Sequence, residues 1–148
     1  MPSLALADPK ARAAAAKRDN PPLRKQQSTA FYAVSTFDQG SLDKMIAGGW
    51  DLSSCKDEAG KTVLHRAAQV GNGAAVAALL KSGSKVDAIT QWKETPLHMA
   101  ARNNKVEVVK TLLEAGASTT LKTYGGDTAL EIAKKYKFKD LVAVLETK

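Results

Sequence analysis

Thr95-Pro96-Leu97-His98-Met99-Ala100-Ala101-Arg102-Asn103-Asn104-Lys105-Val106-Glu107-Val108-Val109-Lys110-Thr111-Leu112-Leu113-Glu114-Ala115-Gly116, continuing to Thr120, reads as two short helices joined by a turn. The Thr95 hydroxyl is placed to cap the first helix, and Pro96 occupies the first helical position, where a missing N–H costs nothing. Leu97, Ala100 and Ala101 share one face at helical spacing. Asn103-Asn104 breaks the helix, because asparagine tolerates a left-handed backbone. Val106, Val108, Val109, Leu112 and Leu113 form a second apolar stripe, which Gly116 ends at the usual C-terminal position. Helices of about nine residues do not stand alone in water, so these two must bury their apolar faces against similar text.

That text recurs at a fixed interval. Thirty-three residues earlier stand Thr62-Val63-Leu64-His65-Arg66-Ala67-Ala68, then Gly71, Val76, Leu79-Leu80 and Gly83. Thirty-three residues later stand Thr128-Ala129-Leu130-Glu131-Ile132-Ala133, then Leu141-Val142 and Leu145. A fainter copy at a spacing of 34 runs from Ser28 to Leu52, with Ala30, Ala33-Val34, Leu42, Met45-Ile46 and Gly49 in the matching places. A period of about 33 residues carrying Thr-Pro-Leu-His and a terminal glycine is the mark of one repeat class, and on it the chain resembles the ankyrin-repeat family over residues 28–148. The match is strongest in the two central repeats, as expected when end repeats cap a stack.

The fold class implied is an all-α repeat solenoid. It is a stack of helix-turn-helix units with projecting β-hairpin loops, preceded by a basic N-terminal helical arm. The units fall at about 28–61, 62–94, 95–127 and 128–148. Residues 1–27 form the extension, with six Lys/Arg against two Asp. Asp8-Pro9 and the alanine run Ala11–Ala16 predict a helix near 9–19, stopped by Asn20-Pro21-Pro22. Lys10, Arg12, Lys17, Arg18, Arg24 and Lys25 make this arm the expected contact for acidic surfaces or RNA. Its alanine and arginine content also fits a mitochondrial presequence, against which stand its two Asp.

The chain of 148 residues has one domain's length, a formal charge of +7 and a pI near 9.5, which favours acidic partners. The single cysteine, Cys55, excludes an internal disulfide and a cysteine-rich zinc site and points to an intracellular, most simply cytoplasmic, setting. No apolar run approaches the roughly 18–20 residues of a membrane-spanning helix, and Met1–Ala7 is too short and weakly apolar for a secretory signal.

Chemistry is sparse. His65 and His98 occupy equivalent positions, and in ankyrin-like repeats this histidine bonds backbone groups of the adjacent loop. A two-histidine metal site would lack its other ligands. Cys55 has no histidine beside it in the repeat scheme. Gly71-Asn72-Gly73 is an inter-helix turn without the lysine and hydroxyl that complete a phosphate loop. No catalytic residue, cofactor, metal or small-molecule substrate is expected.

The resemblance implies a non-enzymatic protein–protein interaction module, an adaptor or scaffold. Its partner would lie on the concave face of hairpin tips and first-helix side chains. The family's variable positions fall on Gln69 and Val70, on Gln91, Trp92, Glu94, Arg102 and Asn103, and on Tyr124, Asp127, Lys135 and Tyr136. Arg66 and Met99, each following the repeat histidine, face the same way. Such a surface suits a partner with acidic and apolar parts. Trp92 stands near an expected hairpin tip, either folded onto a neighbouring hairpin or free as an anchor. Lys93 replaces the usual tip glycine, so that hairpin needs another turn geometry or carries strain. Trp50 is expected to cover the open end of the stack, or else to anchor a partner. Glu146, at a position where the pattern has leucine, fits a stack that ends there. Lys134–Lys139 interleaves lysines with aromatics and reads as a solvated face or a phosphate contact. The alternative function is a small structural subunit of a large ribonucleoprotein or cytoskeletal assembly, anchored by the basic arm.

Overall fold

A computed structural model describes residues 22–147. The helix expected near 9–19, with Lys10, Arg12, Lys17 and Arg18, lies outside the described residues. Within them the chain folds as four helix pairs. These are α1 (Leu23–Ser35) with α2 (Gln39–Ala47), α3 (Val63–Val70) with α4 (Gly73–Lys81), α5 (Pro96–Arg102) with α6 (Val106–Glu114), and α7 (Ala129–Lys135) with α8 (Lys139–Glu146). A 3-10 turn, Leu52–Ser54, follows the first pair.

Every first helix packs on the next first helix, and every second helix on the next second helix, so two layers run along the stack. The reason is the distribution of side-chain size. Ala67, Ala68, Ala100, Ala101 and Ala133 are fully buried and let the first helices approach closely. Leu64, Leu79, Leu97, Leu112 and Leu141 fill the space between layers, each at most 1% exposed. Burying one such leucine contributes about 2 kcal/mol. Trp50 packs half-buried against this core, beside Gly48.

α1 begins directly after Pro22, five residues before the expected repeat boundary at Ser28. Arg24 and Lys25 therefore belong to the first turn of α1, both exposed, rather than to a separate arm.

All four inter-helix turns use one left-handed residue at the same place: Phe37 (φ 60°), Gly71 (φ 80°), Asn104 (φ 55°) and Lys137 (φ 61°). Asn104 takes the conformation its side chain favours. Phe37 and Lys137 take it without that help, at a conformational cost of about 1 kcal/mol each. Gly71 takes it most cheaply, and a Cβ there would lie 2.7 Å from Lys105 Cδ, so a side chain would push the lysine stem aside.

Threonine caps start the last three first helices. Thr62 Oγ1 accepts from the His65 amide and Thr95 Oγ1 from the His98 amide, each at 3.3 Å, and Thr128 Oγ1 from the Glu131 amide at 3.2 Å. Asp38 and Asn72 cap the second helices α2 and α4 with side-chain oxygens. Asn72 Nδ2 also donates to Val34 O at 3.2 Å, tying the first pair to the second.

The projecting loops between pairs are hairpin-shaped turns rather than extended strands. Among the described residues one isolated β-bridge, Lys56 with Thr62, stands for the hairpin ladder. Each loop is closed by one equivalent bond: Asp57 N to Lys61 O (2.9 Å), Thr90 N to Glu94 O (3.0 Å) and Thr123 N to Asp127 O (3.0 Å).

Candidate functional site

Two histidines join these loops to the helices. The Thr62 amide donates to His65 Nδ1 at 3.1 Å, so Nδ1 carries no proton and Nε2–H donates to Glu94 O at 2.8 Å. His98 repeats this: Thr95 N donates to Nδ1 at 3.0 Å, and Nε2 reaches Leu121 O (2.9 Å) and Asp127 O (3.2 Å). Each ring spans from its own helix start to the following loop. Burial lowers the pKa of both below the ordinary 6.5, outweighing the backbone carbonyls that pull the other way. The neutral ring satisfies both nitrogens, which is a structural use and leaves neither free for a ligand.

The loop tips are also bonded to one another. Gln91 N donates to Ala59 O (2.9 Å), and one repeat on, Tyr124 N donates to Trp92 O (3.0 Å). The tips thus form a continuous edge. Lys93 takes φ 58° at the place where Gly60 (φ 80°) and Gly126 (φ 83°) take theirs. The third loop therefore keeps the common turn geometry and carries the strain. Lys93 Nζ lies 5.2 Å from the centroid of the Tyr124 ring, a cation–π contact along the edge.

A sequence model of ankyrin repeats in three copies matches residues 30–123 and again residues 64–147, most of the chain. The chain belongs to the ankyrin-repeat family. No curated protein sequence matches it. Ankyrin repeats generally serve as protein–protein interaction modules.

On this ankyrin stack the expected contact residues divide. Trp92 (46% exposed) and Tyr124 (68%) stand at the tips with Gln91, and Tyr136 stands at the fourth inter-helix turn. Arg102, Asn103 and Lys135 are exposed on first helices and their turns. Gln69, Val70, Arg66 and Asp127 are half-buried. Arg66 Nε donates to Ser35 Oγ at 2.8 Å and Nη1 to Gln69 Oε1 at 3.3 Å, beside a cleft of about 440 Å³ that includes Tyr32, Asp57 and Lys61.

Two expected contacts lie inside and are corrected. Met99 is 3% exposed: the apolar thioether joins the core, where Arg66 in the same column keeps its charged head partly in solvent. Glu94 is 7% exposed and pairs with Arg102, so its carboxylate fastens the third loop to α5 instead of meeting a partner. A partly buried pair of this kind is costly to break from one side.

Four exposed apolar side chains lie outside the expected contact residues: Tyr32, Phe37, Ile89 and Leu121. Phe37 had a legible signal, since it aligns with Gly71 and Asn104 at the turn. Tyr32 stands in a bulky first-helix run that departs from the central repeats, as an end repeat with an outer face allows; Ile89 and Leu121 had no signal beyond their apolar character.

Cys55 is fully buried, its thiol 3.5 Å from Asp51 O. Burial first, and the Asp51 charge second, push its pKa up to about 11. A thiol so held is a poor nucleophile. No group of three or more metal-ligating side chains occurs among the described residues. No helix among the described residues is long and apolar enough to cross a membrane.

Proposed function

We propose that this chain is a non-enzymatic adaptor or scaffold that binds a protein partner across its loop tips and first-helix layer. The observation that carries the reading is the tip edge itself. Trp92 and Tyr124 are both well exposed, stand one repeat apart, and are joined by the Tyr124 N–Trp92 O bond. Aromatic side chains held on a fixed backbone are the usual anchors of interfaces, since little ordering entropy is lost on binding.

Exposure is one-sided. Among the described residues, the large apolar side chains that reach solvent are Tyr32 and Phe37 on the first pair, Tyr136 on the fourth, and Ile89, Trp92, Leu121 and Tyr124 in the loops; none of these belongs to α2, α4, α6 or α8. The partner thus meets the tips and first helices, with the second helices turned away. Substituting Trp92→Ala should weaken a captured partner about 30-fold, or about 2 kcal/mol, with little change in folding. Calorimetric titration of that partner against both proteins checks it; equal affinities would remove Trp92 from the contact.

A further inference from the structure

The charge of the stack is sorted by layer. The first helices with their turns (23–38, 63–72, 96–105 and 129–138) hold eight Lys/Arg against two Asp/Glu. The second helices (39–47, 73–81, 106–114 and 139–146) hold four against five. Much of the excess gathers at the inter-helix turns of the third and fourth pairs, the end of the helices away from the loop tips.

There Lys135 and Lys137 are exposed, and neither makes an ion pair among the described residues. The stem of Lys105 lies over Gly71, one turn along the same edge. Tyr136 stacks on Phe138 with centroids 5.8 Å apart and stays half exposed, a ring already fixed in place. Lys137 adds an independent observation. Glycine or asparagine fills the equivalent left-handed position at 71 and 104 cheaply, whereas Lys137 adopts φ 61° and holds its amine in solvent. Strain retained at an exposed position points to use of the side chain there.

We infer that this turn edge, Lys105, Lys135, Tyr136 and Lys137, binds an extended acidic peptide segment of the partner, a second contact distinct from the aromatic tips. It rests on the reading of the chain as a protein-binding module. Carboxylates meet the three lysines and an apolar side chain lies on Tyr136. The contact steers association through charge and is weakened by salt. A peptide is favoured over nucleic acid because the edge offers one free aromatic face, where a single strand needs a series of them.

The test uses the full chain and a fluorescent decaglutamate peptide, with anisotropy read at about 50 mM salt. The triple variant Lys105→Glu, Lys135→Glu, Lys137→Glu should bind at least ~10-fold more weakly than the natural chain. Lys81→Glu, on the second-helix layer, and Trp92→Ala should bind the peptide unchanged. Lys137→Gly should melt at the same or a higher temperature and yet bind about 3-fold more weakly, a split that a purely structural role would not produce. Absence of peptide binding by the natural chain, equal binding by the triple variant, or loss of the peptide in Trp92→Ala would each overturn the inference. Tighter binding of a decauridine strand than of the peptide would overturn it in favour of nucleic acid. A protein partner still lost on Trp92→Ala in any of these cases leaves the tip contact standing, so the two failures are distinct.

Discussion

The two central helix pairs and the two end pairs share a backbone and differ in how they are braced. In the centre, His65 and His98 each reach from a threonine cap to a loop 29 residues on, Glu94 O for one and Asp127 O for the other. At the ends the same position holds Phe31, half-buried, and Glu131, exposed. A single side chain per repeat thus decides whether a first helix is tied to the following loop through a buried ring; the first pair, lacking that ring, is held to the second by the Asn72 Nδ2–Val34 O bond and apolar packing. The proposed contact surface follows the braces: Trp92 lies two residues before Glu94, whose carbonyl His65 holds, and Tyr124 lies between the two carbonyls that His98 holds.

Removing one brace should have the largest effect. His98→Ala leaves the Thr95 amide and Leu121 O without this partner, while Asp127 O keeps the Thr123 amide, and should cost about 3 kcal/mol in urea unfolding. Glu131→Ala, at the equivalent end position, should stay within about 0.5 kcal/mol. Equal costs at the two sites would erase the contrast.

Mild acid, above the carboxylate range, should act on the centre. The folded-state pKa of both histidines lies below the unfolded 6.5, so the unfolded chain binds more protons between those values. Stability is then full above about pH 6.5 and falls as pH drops below it. Replacing either histidine should flatten that slope in a series of thermal melts, and a slope unchanged in both single variants would deny the linkage.

A smaller effect separates the loops. Gly60→Ala forces an L side chain into φ 80°, with its Cβ 3.4 Å from Gln91 N, and should cost about 1 kcal/mol. Lys93→Gly removes strain at the same place and should stabilise by about 0.5 kcal/mol, offset in part by the lost contact with Tyr124. Denaturant midpoints for the two variants should move in opposite directions.

Much of this was legible in the residues. The 33-residue period fixed the pairing of helices, Thr95 and Thr62 announced caps, and Asn104 announced its left-handed turn. The variable positions were found, but their depth was not. Periodicity assigns a residue to a column without saying how closely the next repeat covers it, so Met99 looked like Arg66 and proved buried. Glu94 drew inward through Arg102, eight residues on, a pairing that no local spacing announces. Lys93 was read as a departure from the tip glycine; only the backbone shows that the turn is kept and the strain carried. The layered charge was present in the sequence and became visible once the helices were sorted into two rows.

The most direct measurement is photo-cross-linking from a benzophenone side chain placed at Trp92, at Tyr124, or at Lys110 on the second-helix layer, followed by identification of the attached proteins. We expect the two tip positions to capture the same partner and Lys110 to capture none. Equal capture from Lys110, or different proteins from the two tips, would contradict a single working surface along the tip edge.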